Sequence, residues 1–428
     1  MARTLRRFCS PGRGNGLRAG APLRPGELLY DCEPFACTVS RKGRDRDTCE
    51  SCFARKKGLL RCSQCKIARY CDASCQKQAW PEHKRECKCL RSLHPRIPTD
   101  SVRLVGRMVF RLLNYSPCSS EELYSLSEHE SHIKEMSEDK REGLRQLTAM
   151  LQLYLREEMG DVLDLPPGLD LFHLFAKVTC NCFTISDGEL QEVGVGLYPS
   201  MSLLNHDCDP NCVIVFQGRR LLLRAVRDIQ PGEELTVSYI DVLSPAQDRR
   251  TQLRSQYCFT CDCRRCETGD KDADMLAGDE RAGRVVREAV TTVEQLQAQQ
   301  QWEQALALCK NVIHNHGDVL PDSNIHLVKM LDSATDACVN LARWDGALHY
   351  STRTLWAYGM YYPQFHPARA VQLVRVGKLQ LYLEKFREAL VTLKQAYDVM
   401  KVTHGAAHPL TCDVERMLGE CRAELDRA

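Results

Sequence analysis

No stretch of this chain is apolar for anything near the ~20 residues that a membrane-spanning helix requires. Nor is there a surplus of one charge. The 58 Lys and Arg stand against 56 Asp and Glu, a net +2, so the chain as a whole is no polyelectrolyte. The opening Met1-Ala2-Arg3-Thr4-Leu5-Arg6-Arg7 is followed by no hydrophobic stretch, so neither a secretory signal nor a membrane anchor is expected. Without an oxidising compartment disulfides are not expected, and the 24 cysteines should be thiols or metal ligands in the cytoplasm or nucleus. What the chain does have is length. Its 428 residues suffice for two or three domains, each with its own core.

Charge is unevenly spread. Residues 41–96 carry 16 basic against 6 acidic side chains, and residues 116–142 carry 8 acidic against 3 basic. The N-terminal segment looks β-rich, with turn signals at Gly12-Arg13-Gly14-Asn15-Gly16 and Pro25-Gly26. A cysteine-rich insert of low apolar content follows, too small to fold on a hydrophobic core. From Asp100 to about Lys177 helical spacing dominates, as in Val102, Val105, Met108, Val109 and Leu112, then Leu144, Leu147, Leu151 and Leu155. A β-rich stretch runs to Asp241, then a short cysteine cluster, and the charged run from Gly269 to Asp274 reads as a linker.

The remainder is helical and repeats every 42 residues: Trp302, Trp344 and Phe386 each precede an Ala-Leu pair, and His366-Pro367 matches His408-Pro409. An aromatic residue with Ala three positions on makes one helix face, and the small Ala allows close packing of a neighbour. This pattern is similar to tetratricopeptide helix pairs with a long period. The bland alternative is an ordinary helical bundle.

The insert reads Cys49-x2-Cys52-x9-Cys62-x2-Cys65-x5-Cys71-x3-Cys75-x7-His83-x3-Cys87. Eight ligands at these spacings suit two tetrahedral Zn2+ sites, because short Cys-x2-Cys pairs bite one ion from a tight turn and His83-x3-Cys87 share a helix face. Unliganded thiols would leave so polar a segment nothing to fold around. A second cluster, Cys261-x-Cys263-x2-Cys266, lacks a nearby fourth ligand. Cys208 is the natural candidate. The other cysteines have no such spacing and are expected to be small buried hydrophobes or surface thiols.

Between the two clusters stand Asn205-His206-Asp207-Cys208-Asp209-Pro210-Asn211 and Gly232-Glu233-Glu234-Leu235-Thr236-Val237-Ser238-Tyr239. Val213–Phe216 and Leu221–Val226 read as buried strands around a turn at Gln217–Arg220, and Pro231-Gly232 leads into a last strand, Glu234 to Tyr239. That hairpin is expected to bring the Asn-His pair and a tyrosine hydroxyl together. The paired motifs resemble those of SET-domain lysine methyltransferases, and the first cysteine set resembles a MYND zinc finger. In their order along the chain, these parts resemble the SET-and-MYND-domain lysine methyltransferases over essentially the whole sequence.

The resemblance implies an α+β fold. Its parts are the N-terminal part of a SET domain (1–48), a MYND finger (49–87), a helical insert (88–179), the SET β core (180–241), a post-SET zinc tail (242–270) and an all-α tetratricopeptide-like lobe (271–428). It implies that Cys49, Cys52, Cys71 and Cys75 hold one zinc, Cys62, Cys65, His83 and Cys87 a second, and Cys208, Cys261, Cys263 and Cys266 a third. It implies transfer of methyl from S-adenosyl-L-methionine to lysines of histones H3 and H4 and of non-histone proteins, in cytoplasm and nucleus. Cofactor contacts are then expected from Arg13, Gly14, Asn15, Tyr124, His132, Asn181, Asn205, His206, Tyr239 and Phe259. Tyr239 should orient the amine, with Phe183 and Tyr257 lining the lysine channel. Asp207 stands where the family usually has serine, and His132 where it has asparagine.

Two rival readings use the same residues differently. A non-catalytic adaptor would bind proline-rich peptides at the finger and a chaperone or other protein at the helical lobe. A DNA-binding regulator would rest on the basic finger, yet no base-reading helix is evident, and basic surface alone gives weak, salt-sensitive, non-specific contact. A decayed enzyme should have lost some of Tyr239, Phe183, Asn205 and His206, and all four are present. The expected partners are proteins with exposed lysines, no membrane is expected, and the chain is expected to be a monomer.

Overall fold

The computed structural model describes residues 5–41, 47–114, 118–160, 165 and 168–427. Residues 1–4, 42–46 and 116–117, on which parts of the N-terminal and charge readings rest, lie outside these. The chain opens with an antiparallel pair, β1 (Leu5–Ser10) and β2 (Gly14–Ala19), then β3 (Leu28–Cys32) and β4 (Ala36–Val39). The cysteine-rich insert carries only β5 (Leu60–Arg61) and β6 (Arg69–Tyr70) before helix α1 (Ala73–Leu93), which runs on past Cys87. Asp72 caps α1 by accepting from the Cys75 amide at 2.9 Å. Next come α2 (Asp100–Leu113), α3 (Glu138–Met159) and α4 (Leu171–Asn181), so among the described residues the expected helical stretch is three helices, with three 3₁₀ turns between α2 and α3.

The β core consists of β7 (Cys182–Ser186), β8 (Glu192–Leu197), β9 (Asn205–His206), β10 (Cys212–Gln217), β11 (Arg220–Ala225) and β12 (Thr236–Val237). It is assembled as small sheets: β4-β8-β7, β10-β11-β3 and the parallel pair β9-β12. The hairpin β10-β11 is as expected. The last strand is not. Only Thr236 and Val237 pair with β9, because Glu234 and Leu235 before them turn to Arg18 and Leu17 of β2, and the chain after them bends at Tyr239 and Ile240.

The tail holds α5 (Ala246–Tyr257), α6 (Arg264–Thr268) and α7 (Asp272–Met275). The run read as a linker is therefore structured. Lys271 takes a left-handed φ of 67°, and both Asp272 carboxylate oxygens accept from the Ala246 amide at the start of α5, each at 3.0 Å. Seven helices follow: α8 (Glu280–Ala298), α9 (Trp302–His316), α10 (Ile325–Asn340), α11 (Trp344–Tyr361), α12 (Pro367–Tyr382), α13 (Phe386–Thr403) and α14 (Pro409–Arg427). The repeated aromatics start α9, α11 and α13, and Ala305, Ala347 and Ala389 are fully buried. The repeat extends to the backbone. Gln300, Ala342 and Glu384, 42 residues apart, all take left-handed φ values of 54–60°. Asn324 and His366 cap α10 and α12, and His408 accepts from the Leu410 amide at the same spacing.

The insert has a core after all. Leu59, Ile67, Ala68 and Tyr70 are buried together with residues of α2, α3 and α4. Charge joins them too. Arg103 of α2, fully buried, donates to both Glu50 oxygens at 3.0 and 3.1 Å and to Glu86 at 2.8 Å. Arg107 reaches the same two carboxylates at 2.9 and 2.6 Å. Burial opposes the charge on Glu50 and Glu86, but the two guanidinium groups outweigh it and hold both carboxyls below their usual range.

Candidate active site

The parallel pairing of β9 with β12 sets Asn205 beside Thr236 and His206 beside Val237. This pairing, and not the intervening hairpin, joins the two motifs. The His206 ring locks it further. Nδ1 accepts the Tyr239 amide at 3.0 Å, and Nε2 lies 3.3 Å from the Cys208 sulfur. Burial keeps that imidazole neutral, its pKa pushed down to about 4. Asn211 closes the loop by accepting the Thr236 amide at 2.8 Å and donating to the Glu234 carbonyl at 2.7 Å.

On one side lies the glycine turn between β1 and β2. Gly14 has φ +77°, and nothing stands within 4 Å of where its Cβ would be, so bare backbone fronts open space. At Gly16 a Cβ would meet Glu234 at 2.8 Å and Phe8 at 2.9 Å. The Asn205 amide donates to the Asn15 carbonyl at 3.2 Å and to Glu234 at 2.8 Å. Arg13 donates to the His206 carbonyl at 3.3 Å and pairs with Asp262 at 2.6 Å, so the expected cation for a carboxylate already ties the turn to the tail. Tyr124 is buried, stacks on His129 at 4.7 Å, lies under Arg7 at 4.7 Å and meets the Asn15 side chain. The Asn181 amide donates to the Glu130 carbonyl at 3.2 Å. His132, in the following turn, pairs with Glu135 on the surface at 3.0 Å. Its ring is not brought to the other candidates.

On the other side is a cavity of about 340 Å³ lined by Phe183, Met201, Leu204, Ile214, Tyr239 and Tyr257 among others. The Tyr239 hydroxyl donates to the Leu204 carbonyl. Its ring lies 4.9 Å from Tyr257 and 6.3 Å, edge to face, from Phe259. Phe183 stands edge to face with Tyr198 at 5.7 Å. Burial raises both phenols, that of Tyr257 to about 12, so both stay protonated at neutral pH.

The three cysteine sets converge as expected: within each, the four ligand atoms lie within 4.8 Å of one another. Two Zn–S bonds of about 2.3 Å at a tetrahedral angle set sulfurs about 3.8 Å apart. The separations match: Cys52–Cys71 is 3.7 Å, Cys62–Cys87 3.8 Å and Cys208–Cys266 3.6 Å, with Cys65 to His83 Nε2 at 3.6 Å. His83 presents its other nitrogen to Glu86 at 3.3 Å, the orientation a ligand imidazole requires. The residues present fit zinc. The donor set of guanidinium, amides, open glycine backbone and the Phe259 ring likewise fits a zwitterionic amino acid joined to an adenosine.

Comparison with known proteins decides the family. A SET domain profile matches residues 14–240. Histone-lysine N-methyltransferase SMYD3 of Homo sapiens is 55% identical over 421 residues, covering 98% of each chain. The Mus musculus protein of that name is 54% identical with the same coverage. N-lysine methyltransferase SMYD2 of Gallus gallus is 35% identical over 97% of each chain. The chain belongs to the SET-and-MYND-domain lysine methyltransferases.

Asp207 and His132, the two positions expected to depart from the family pattern, each have a local backbone role. Asp207 accepts the Asp209 amide at 2.8 Å, a turn that a serine hydroxyl also makes. His132 has a left-handed φ of 49°, which asparagine and histidine tolerate better than most residues. Three contributors to this SET-and-MYND site were missed in the sequence. Glu234 and Asn211 lie inside the motifs, and their polar character was the available signal. His366 comes from the far lobe, where the repeated His-Pro signals only a period in the sequence.

Proposed function

We propose that the chain transfers methyl groups from S-adenosyl-L-methionine to lysine side chains of histone tails, H3 and H4 among them, and of non-histone proteins. The observation that carries this reading is the β9–β12 pairing, which sets Tyr239 between the open glycine turn and the cavity lined by Phe183 and Tyr257. When bound, the cofactor supplies a methyl group on a positively charged sulfur. Arg13, Gly14 and Asn15 would hold its amino-acid end, Asn205 and His206 its polar groups through amide and backbone atoms, and Phe259 its adenine, with Tyr124 and Asn181 alongside. His132 has the weakest claim, its ring being paired with Glu135.

A free lysine, with a pKa of about 10.4, is almost wholly protonated at neutral pH and cannot attack. In the cavity Phe183 and Tyr257 strip water from the amine and disfavour its charge. The Tyr239 hydroxyl would fix its line of approach, and alignment is the main lever for a displacement. The zinc reading gives three ions, with the tail site carrying Tyr257 and Phe259 over the centre. The names of the curated relatives support the reaction class. The test is transfer of labelled methyl from the cofactor to histone octamers and a lysine-peptide library. Label on lysine is the expected result. Intact cofactor binding with no transfer to any lysine would overturn the reading in favour of the adaptor.

A further inference from the structure

His366 belongs to the helical lobe, 127 positions after Tyr239, yet it lines the same cavity as Phe183, Tyr239 and Tyr257. Its ring does two things. Nδ1 accepts the Ala368 amide at 3.2 Å, capping α12. The ring also stacks at 4.6 Å and 22° on Tyr362, whose hydroxyl donates to Asp241 at 2.7 Å, two residues after Tyr239. The imidazole is thus fixed in position by both the lobe and the SET core.

The cap fixes the tautomer as well. Burial holds the ring neutral, its pKa lowered to about 4 with Asp241 opposing and Arg265 reinforcing the shift. A neutral ring whose Nδ1 is an acceptor carries its proton on Nε2. Among the described residues that N–H has no hydrogen-bond partner. Three other polar groups of the wall are spent on their own chain. Ser202 donates to the Asn181 carbonyl at 3.4 Å, Ser238 to Ile240 at 2.8 Å and Tyr257 to Tyr239 at 3.4 Å.

The geometry points to His366 as a substrate-positioning residue: its Nε2–H donates to a main-chain carbonyl of the target peptide beside the lysine that enters the cavity. A lysine ammonium is excluded as its partner, since the free ring nitrogen of His366 is a donor and its acceptor nitrogen is already taken by the Ala368 amide. A peptide carbonyl fits because each residue of an extended segment brings one to the wall. The inference rests on the methyl-transfer reading and adds to it a contact that links the helical lobe to substrate choice.

Two variants separate this role from simple capping. His366→Asn keeps an acceptor where Nδ1 was and withdraws the donor; His366→Gln puts an amide N–H where Nε2 was and gives up the cap. Kinetics on a lysine peptide, with cofactor affinity and thermal stability measured alongside, should show His366→Asn raising the peptide KM about 5- to 30-fold with kcat and cofactor Kd near wild type. His366→Gln should stay within about threefold of the wild-type KM while melting earlier. The reverse order, or no change of KM in His366→Asn, would overturn the assignment and leave His366 a helix cap. Wild-type protein that transfers no methyl would instead refute the underlying reaction.

Discussion

Tyr239→Phe removes one oxygen from the centre of the site and little else. The ring would keep its neighbours, Tyr257 at 4.9 Å and Phe259 at 6.3 Å. The lost contact is the hydroxyl's hydrogen bond to the Leu204 carbonyl. Leaving such an acceptor short of one donor costs about 1 kcal/mol of stability, a shift of a few degrees in Tm at most. Catalysis should suffer more. If the hydroxyl orients the amine only as the methyl moves, its loss should lower the rate about 10²–10³-fold, or roughly 2.7–4 kcal/mol in the barrier. The His206 carbonyl and the Asn205 amide, which face Arg13 and Asn15 of the glycine turn, are untouched. Single-turnover transfer of labelled methyl, cofactor titration by calorimetry and a thermal melt separate the three quantities. A variant within threefold of wild-type turnover, with Kd and Tm unchanged, would show that Tyr239 is core packing and that the amine is oriented by another group.

Metal analysis should return about three zinc ions per chain, and Cys263→Ser should remove one and weaken cofactor binding, because Phe259 lies two residues before Cys261. A count of two, unmoved by Cys263→Ser, would refute the tail site. Phe183 brings no hydroxyl to the cavity it lines with Tyr239 and Tyr257, which leaves room for an amine already carrying a methyl to turn and react again. Wild type should therefore give di- and trimethyl-lysine under excess cofactor and Phe183→Tyr mainly monomethyl-lysine, and identical mass spectra at matched turnover would disprove this. In the lobe, burial lifts the Asp332 carboxyl to about 7, although Tyr358 donates to it at 3.0 Å. Between pH 4 and 7 the folded state keeps a proton that the unfolded chain has released, so stability falls as pH rises through that window, by at most about 4 kcal/mol. Asp332→Asn removes this term, so its Tm advantage over wild type should grow from pH 4 to pH 8; a constant difference would mean that the carboxyl titrates normally.

The sequence by itself determined the local and the metal-directed parts of this protein. Short Cys-x2-Cys spacings can close only small rings, so the ligand pairs of the insert were legible; which pairs share a site came from the family resemblance, and all eight ligands converge in those two groups. The hairpin at Gly218 and the 42-residue period follow from turn chemistry and side-chain size, which neighbouring residues carry. Tertiary structure decided the rest. The strand Glu234–Tyr239 pairs with β9 over two residues only, and in parallel, because Glu234 and Leu235 are claimed by Arg18 and Leu17 more than 200 positions earlier. The run from Gly269 to Asp274 looks like a solvated linker by composition, but its Asp272 has a specific partner in Ala246 that no local pattern announces. The left-handed turns at Gln300, Ala342 and Glu384 lack the glycine that would have marked them. His366 shows the limit most clearly. Its helix-capping role is written in the His-Pro pair, whereas its place in the cavity depends on how the lobe docks through Tyr362 and Asp241. Contacts between residues far apart in the chain arise from the packing of whole elements, and that packing leaves no signature at the positions themselves.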